Sequence, residues 1–335
     1  MRGIALNWFI SYLHQRKQFT VYNSICSNIQ TTTHSVPQGS ILGPLLFLIY
    51  INDIVNSLEK LNIILFADDT CLYLSGYNLN NLIHTINNEL KVVNNWLYSS
   101  KLTLNLQKSH YIIFHRHKLT RNNLIETPLI INNYDLQKLQ HTKFLGVTIQ
   151  DNLKWNLHIK NITSKVNKLS GILYRVRDNL DRKSLKLFYN GLIYPQLTYA
   201  NIIWGNTYST HLKPLVVAQK RVIRTIMYRH RIHHTNADFI ELSFLKLSDI
   251  NIYFGLIFVY KSLNNLVFPI NYFTYSTNLR YNFRNNLNLN LSFSPTVQGQ
   301  TSPSYYCAKL WNQVPFCIKN QPSIASLKSS AFVFA

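Results

Sequence analysis

The stretch from Ile63 to Leu74 reads Ile-Ile-Leu-Phe-Ala, then Asp68-Asp69, then Thr-Cys-Leu-Tyr-Leu. Apolar β-formers on both sides of a short acidic break specify a β-hairpin with the two carboxylates at its tip. Few folds tolerate that arrangement. Adjacent like charges repel, and burial beside Ile64 and Phe66 would raise their pKa values. A bound divalent cation such as Mg²⁺ relieves both costs. An Asp-Asp pair is also simply a good β-turn, and the pair alone leaves both readings open.

The rest of the chain is strongly cationic. Its 335 residues carry 34 Lys and Arg against 13 Asp and Glu, a net charge of +21. Such a surplus points to a polyanionic partner, with nucleic acid first and an anionic membrane second. Hydrophobic residues make up 47% of the chain, enough for a substantial core and too many for a disordered tail. The apolar runs 41–51 and 252–260 fall well short of the roughly 20 residues that a spanning helix needs, and read as buried helix or strand. No secretory leader is evident in the N-terminal residues. Cys26, Cys71, Cys307 and Cys317 are scattered without metal-site spacing, which suits a reducing compartment. The expectation is an intracellular protein, nuclear or cytoplasmic, neither secreted nor in a membrane.

Along the chain, residues 1–18 have helical spacing and 41–56 read as a buried helix. The turn SVPQGS lies between them. An amphipathic helix is expected over 78–100, and short strands at YIIF and FLGVTI. From Trp155 to about Arg231 the pattern is mostly helical, broken at Pro195 and Gly205. Asn-rich loops with short apolar pieces follow, and the tail GQTSPSYYCAKLWNQVPF reads as turns with a small packed unit.

The order of motifs carries more than any one of them. SVPQGSILGPLLF precedes FADD, and LTLNLQKS (102–109) and FLGV (144–147) follow it. This series resembles the palm motifs of non-LTR (LINE-type, jockey-like) retrotransposon reverse transcriptases, from the second motif onward. GIALNWFISYLHQRKQF resembles the helix before that motif. DNLKWNLHI and LIYPQLTYANIIWG resemble the entry to the thumb, and SPSYYCAKLWNQVPFCIK the short C-terminal region. The resemblance implies an α+β fold: a partial polymerase palm (antiparallel sheet plus helices) over 1–150, an α-helical thumb over 151–235, and a C-terminal region over 236–335. It implies an RNA-directed DNA polymerase using Mg²⁺ or Mn²⁺, an RNA template, a DNA primer and deoxynucleoside triphosphates. Asp68 matches the metal-binding carboxylate and Asp69 its neighbour. Pro37, Gln38, Gly39 and Ser40 match the turn at the incoming nucleotide and template base. Lys108 matches a lysine on the pyrophosphate side, and Phe144, Leu145 and Gly146 match the primer grip. Lys165, Lys168, Arg175, Arg177, Arg182, Lys183, Lys220, Arg221 and Arg224 are candidates to track phosphates, with Tyr174 and Trp204 placed to stack or pack.

One departure stands out. The family's first metal-binding aspartate lies on a strand before SVPQGS, yet residues 1–52 hold no Asp or Glu, and Asp53 is the first acid. The family's fingers and upstream endonuclease have no counterpart either. The expectation is a truncated chain, weak or inactive alone: first a decayed insertion or one begun at an internal methionine, otherwise a split protein completed by another polypeptide bearing the fingers and first motif, or a non-catalytic nucleic-acid-binding relic. A metal-dependent nuclease would draw on His110, His115 and His117.

Overall fold

The computed structural model describes residues 2–32, 36, 37, 39–114, 128–267, 272–276 and 287–334. It is a mixed helical and β structure. Two compact units divide the chain, one within the first 139 residues and one from Gln140 onward, the latter also taking a few residues after Tyr111.

In the first unit, helix α1 (Ile4–Leu13) is shorter than its spacing suggested and buries none of its residues. Arg16–Gln18, expected to continue the helix, instead form a strand antiparallel to Gln30–Thr32. Helix α2 (Leu42–Ile51) follows the SVPQGS turn and runs into a 3₁₀ segment, Asn52–Ser57. It is not the buried helix that its composition implied. Gly43 and Ile51 are covered, whereas Leu45, Leu48, Ile49 and Tyr50 are exposed. Helix α3 (Leu79–Ser99) matches its expected span. The Asn78 side chain accepts from the Asn80 and Asn81 amides, satisfying groups that the first turn leaves orphaned. Its apolar stripe serves two small cores, one with Leu129 and Ile131, the other with Ile51 and Ile54. Glu89 caps a neighbouring turn by accepting from the Glu59 and Lys60 amides.

The strands of the described residues make six separate two-stranded ladders rather than one antiparallel sheet. One ladder, Gln137–Lys138 with His110–Tyr111, is parallel, so only the start of the expected YIIF strand is realised. The expected strand FLGVTI is a hairpin: His141–Phe144 pairs with Val147–Gln150, and Leu145-Gly146 make its turn.

The second unit is helical. Helix α4 (Asn156–Val176) packs along α8 (Ser209–Ile226). Between them run α5 (Arg182–Phe188), a π turn at Tyr189–Ile193, α6 (Tyr194–Thr198) and α7 (Asn201–Trp204). Pro195 therefore does not stop the helical path. It enters α6 in the first turn, where a missing N–H costs nothing. Helix α9 (Asn236–Leu242) leads to α10 (Leu247–Leu263), a long helix that takes in the 252–260 run read as buried helix or strand. One end of α10 joins the core of Leu173, Trp204 and Val222, and the other joins that of Trp311 and Leu327. The second core is closed by α11 (Val297–Gln300), α12 (Pro303–Gln313), α13 (Phe316–Lys319) and α14 (Ile324–Phe334). Among the described residues no single helix is long and apolar enough to cross a membrane.

Buried amides tie the helical core together. Gln219 donates to the Tyr189 hydroxyl and the Leu245 carbonyl and accepts from the Leu247 amide. Asn251 donates to Asn201 Oδ1 at 2.9 Å, and Asn201 donates to the Leu197 carbonyl. Gly205 sits against this pair. A Cβ there would lie 2.5 Å from Asn251 Nδ2 and 2.6 Å from Asn201 Oδ1. His158 joins the 141–150 hairpin to α4: its Nδ1 accepts from the Thr148 amide at 3.1 Å. The ring is buried edge-on to Trp204, with no hydrogen-bond partner at Nε2. Burial, with Lys165 nearby, pushes its pKa down from 6.5 to about 4.

Two predictions follow from these buried polar groups. Gly205→Ala should lower stability by about 2 kcal/mol or more, because overpacking here also breaks the amide pair, as read from urea unfolding. His158 is neutral when folded, while the unfolded chain takes up a proton below about pH 6.5. Its contribution is therefore full above that pH and is lost between pH 6.5 and about 4, roughly 3 kcal/mol in all. Urea midpoints at pH 7 and pH 4.5 should differ less in His158→Asn than in the unsubstituted chain; an equal difference refutes the assignment.

Candidate active site and nucleic-acid surface

The hairpin that carries the acidic pair runs Asn62–Phe66 and Asp69–Tyr73, with Phe66 opposite Asp69. Ala67 and Asp68 make the turn. Two-residue hairpin turns of the primed class need a positive φ at the first central position. Ala67 supplies it at φ 50°, a conformation that costs a residue with a Cβ. Cross-strand pairing places Asn62, Ile64, Phe66, Asp69, Cys71 and Tyr73 on one face. The other face, with Ile63, Leu65 and Leu72, packs into the small cores around α3.

Asp68 and Asp69 are both exposed. Phe66 and Ile64 beside them are exposed too, at 60% and 46%. The cost of placing the pair is therefore mutual repulsion and not burial, contrary to the expectation from the apolar flanks. Among the described residues neither carboxylate is in an ion pair. No group of three or more His, Cys, Asp or Glu side chains forms a metal-binding cluster among those residues. His115 and His117 lie outside them.

The SVPQGS turn is a hub of one hydroxyl. Ser40 Oγ donates to the Pro37 carbonyl at 2.7 Å and accepts from the Gly43 amide at 3.0 Å and from the Tyr12 hydroxyl at 2.7 Å. It thus joins α1, the turn and the start of α2. Gly39 has φ 78°, which favours glycine. Gly43 is needed for space, since a Cβ would meet the Pro37 carbonyl and Ser40 Oγ at 3.0 Å each. Gln38 lies outside the described residues. Lys108 closes a turn, its amide held by Asn105 Oδ1, and its side chain is exposed.

In the second unit, Phe144 pairs with Val147 around the turn residues Leu145 (φ 45°) and Gly146 (φ 82°). Two positive φ values in succession give the turn whose twist matches the flanking strands. The Tyr199 hydroxyl donates to the Leu145 carbonyl at 2.6 Å, and a Cβ on Gly146 would sit 3.3 Å from the Tyr199 ring. Sequence reasoning missed Tyr12, Tyr199 and His158. Their signal was slight: each is a polar ring in an apolar run, and only the fold reveals which backbone group it meets.

The helices α4 and α8 enclose a groove of about 760 Å³ lined by Asn156, Lys160, Thr163, Ser164, Asn167, Lys168, Thr210 and His211 among others. Ile159 and Pro214 also line this open groove, whose exposed lining is more apolar than polar, and Lys160 and Lys168 give it positive charge. Of the basic residues singled out above, Lys168 is on it, and Arg221 reaches Asn167 Oδ1 at 3.3 Å. Arg182 is instead paired with Glu241, and Trp204 is wholly buried in the core.

Comparison with known proteins bears on both parts of this geometry. Residues 3–149 match the family model described as reverse transcriptase (RNA-dependent DNA polymerase). The chain is similar to a probable RNA-directed DNA polymerase from transposon X-element of Drosophila melanogaster, 25% identical over 223 residues, covering 64% of this chain and 24% of that protein. It is similar to the RNA-directed DNA polymerase from mobile element jockey of Drosophila melanogaster, 23% identical over 228 residues, with 64% and 24% covered. It is also similar to a retrovirus-related Pol polyprotein from type-1 retrotransposable element R1 2 of Nasonia vitripennis, 25% identical over 205 residues, with 57% and 50% covered. The chain spans about a quarter of the length of the first two relatives. The acidic hairpin and the ordered motifs thus lie in a stretch, residues 3–149, that matches the reverse transcriptase family, within a chain similar to non-LTR retrotransposon enzymes over 57–64% of its length.

Proposed function

We propose that this chain serves RNA-templated DNA synthesis, with Asp68 and Asp69 as ligands of Mg²⁺ (or Mn²⁺) and deoxynucleoside triphosphates as substrates on an RNA template and DNA primer. The observation that carries this reading is the hairpin tip, where two adjacent, exposed carboxylates project without a neutralising partner among the described residues. Their chemistry fits a hard divalent cation, which takes oxygen ligands and keeps places for water and substrate phosphates. Such an ion, when bound, activates a hydroxyl and stabilises a leaving phosphate.

Around that tip the remaining roles are assigned by the resemblance and supported by local geometry. The Pro37–Gln38–Gly39–Ser40 turn lines the incoming nucleotide and template base, where Gly39 lets backbone approach a ligand closely. Lys108, an exposed cation, neutralises the pyrophosphate. The Phe144–Leu145–Gly146 turn supports the primer end, kept in shape by Tyr199. The α4–α8 groove holds the phosphate backbone of the primer–template. In this reading 1–150 works as palm, 151–235 as thumb and 236–335 as the C-terminal region. The family match over 3–149 supports the first limit, although in space the 141–150 hairpin packs on α4. The setting is intracellular, in nucleus or cytoplasm.

Two carboxylates leave a two-metal site short of a bridging ligand. We assign the missing one to a complementing polypeptide, or to sequence beyond these 335 residues, with the fingers. The second reading, a nucleic-acid-binding chain without catalysis of its own, is favoured by the lack of a third metal-capable side chain grouped with Asp68 and Asp69 among the described residues.

The purified 335-residue chain should therefore show little or no Mg²⁺- or Mn²⁺-dependent extension of a DNA primer on RNA. Robust extension sinks the claim that a ligand is lacking. Any residual extension should vanish in Asp68→Ala, and persistence at the unsubstituted rate would remove Asp68 from the metal site. Binding to primer–template should survive that substitution within about twofold and weaken steeply with salt, as counterion release demands. Salt-insensitive binding would argue against the phosphate-tracking groove.

A further inference from the structure

Three segments of the second unit meet around Arg177. Its guanidinium carbon lies 4.3 Å from the ring centroid of Tyr174, in the last turn of α4, and 5.1 Å from that of Tyr228, just beyond α8. The Tyr228 hydroxyl donates to the Arg177 carbonyl at 2.6 Å. That bond helps hold Tyr228 at φ 53°, a left-handed conformation that a bulky residue rarely adopts. The Arg177 side chain is only 22% exposed and its charge is balanced by Asp178 at 3.4 Å. The two rings are not used up by this contact: Tyr174 is 58% exposed and Tyr228 is 54% exposed. Each presents aromatic surface to solvent in a fixed orientation.

The surroundings are cationic after local pairing is allowed for. Arg229 and His233 face the buried Asp238, and Arg182 faces Glu241. Arg175, Lys183 and Arg231, close to these residues along the chain, are exposed and in none of the ion pairs of the described residues. Rigid aromatic faces among surplus cations are what an unpaired nucleotide chain needs. Bases stack on the rings and phosphates meet the cations, whereas the bases of a duplex are already stacked on one another. An acidic peptide would use the cations and leave the rings idle.

We propose that Tyr174, Arg177 and Tyr228 form a docking platform for single-stranded nucleic acid, separate from the α4–α8 groove. The proposal rests on the reading that this chain handles nucleic acid, and it adds the strand state that this end of the helical bundle selects.

The test is fluorescence anisotropy of the full chain with a labelled single-stranded oligonucleotide of about 12 nucleotides, within the usual site sizes, and with its duplex. Tyr174→Leu and Tyr228→Leu should each weaken single-strand binding about tenfold and leave duplex binding within about twofold. Tyr228→Phe, which keeps the ring, should stay near the unsubstituted affinity. In the unsubstituted chain, photocrosslinking of an iodouridine-bearing strand should map to Tyr174 or Tyr228, a readout that needs no variant to fold. Unchanged single-strand affinity in folded leucine variants, or crosslinks confined to other segments, overturns the proposal. So does equal displacement of the strand by polyglutamate from the leucine variants and the unsubstituted chain, the mark of a plain charged patch. If the unsubstituted chain binds neither strand nor duplex, the nucleic-acid reading falls with it; duplex binding without this platform refutes the platform alone.

Discussion

A helix that is apolar on every side has to be covered on every side, and α10 imposes that requirement on the whole second unit. Ile250 is buried with Trp204 and Val222, while Leu256, Val259 and Tyr260 are buried with Cys307, Trp311 and Leu327. The helices before it and those after it are thereby fixed to a common axis. The C-terminal residues are then not an appendage: Trp311 donates to the Leu287 carbonyl and Asn312 exchanges hydrogen bonds with Leu289, closing the far core with satisfied polar groups. Gly255, where a Cβ would come within 3.1 Å of Leu310, lets α12 approach that axis. The rigidity of the α4–α8 pair, and hence of the groove between them, descends from this arrangement through Gln219 and Asn251, which bind α8 and α7 to the chain around α10.

The two functional hairpins solve a shared problem differently. Each must turn in two residues and present its tip. Leu145-Gly146 takes a regular primed turn, and Tyr199 covers it, so the backbone carbonyl at the tip is committed to a hydroxyl. Ala67-Asp68, like Leu145-Gly146, turns on a residue with a Cβ at positive φ, but its tip carboxylates are committed to nothing among the described residues. Strain of that kind, about 1 kcal/mol, is stored where the surroundings demand a geometry that the local sequence would not choose. The difference suits the roles proposed for them. A support for a strand end works by being already satisfied, and a metal ligand works by being unsatisfied until the ion arrives.

What could be read in the sequence was what depends on local pattern. The acidic hairpin was legible because alternating β-formers flank a polar break, and α3 because an Asn cap precedes a clean 3.6-residue stripe. The failures have a physical source as well. The apolar run at 41–51 shows that a helix wants cover, not that cover exists within its own unit, and Leu45, Leu48 and Ile49 stand exposed. The 252–260 run read as buried helix or strand without a choice between them because a stretch so evenly apolar has no period to detect. Leu145 and Gly146 looked like strand interior because Phe-Leu-Gly-Val is apolar throughout, and only the pair of positive φ values makes it a turn. Tyr12, His158 and Tyr199 act through single contacts to groups 28, 10 and 54 residues away, which no local pattern encodes.

The acidic pair also sets a limit on what these residues can do unaided. An octahedral Mg²⁺ takes one or two carboxylates along with water and phosphate oxygens, so in the proposed reading Asp68 and Asp69 would hold one ion beside a triphosphate. Two ions, a few ångströms apart, need a ligand that touches both, because the attacking and leaving oxygens have to be stabilised together. Adjacent residues at a hairpin tip are poor candidates for that task. Asp69 is opposite Phe66 on one face of the ladder, whereas Asp68 is in the turn. Nucleotide binding and chemistry are therefore separable demands on this chain. In the proposed reading the first would call on the exposed pair and the SVPQGS turn, and the second on a further carboxylate that residues 1–52, without a single acid, do not provide.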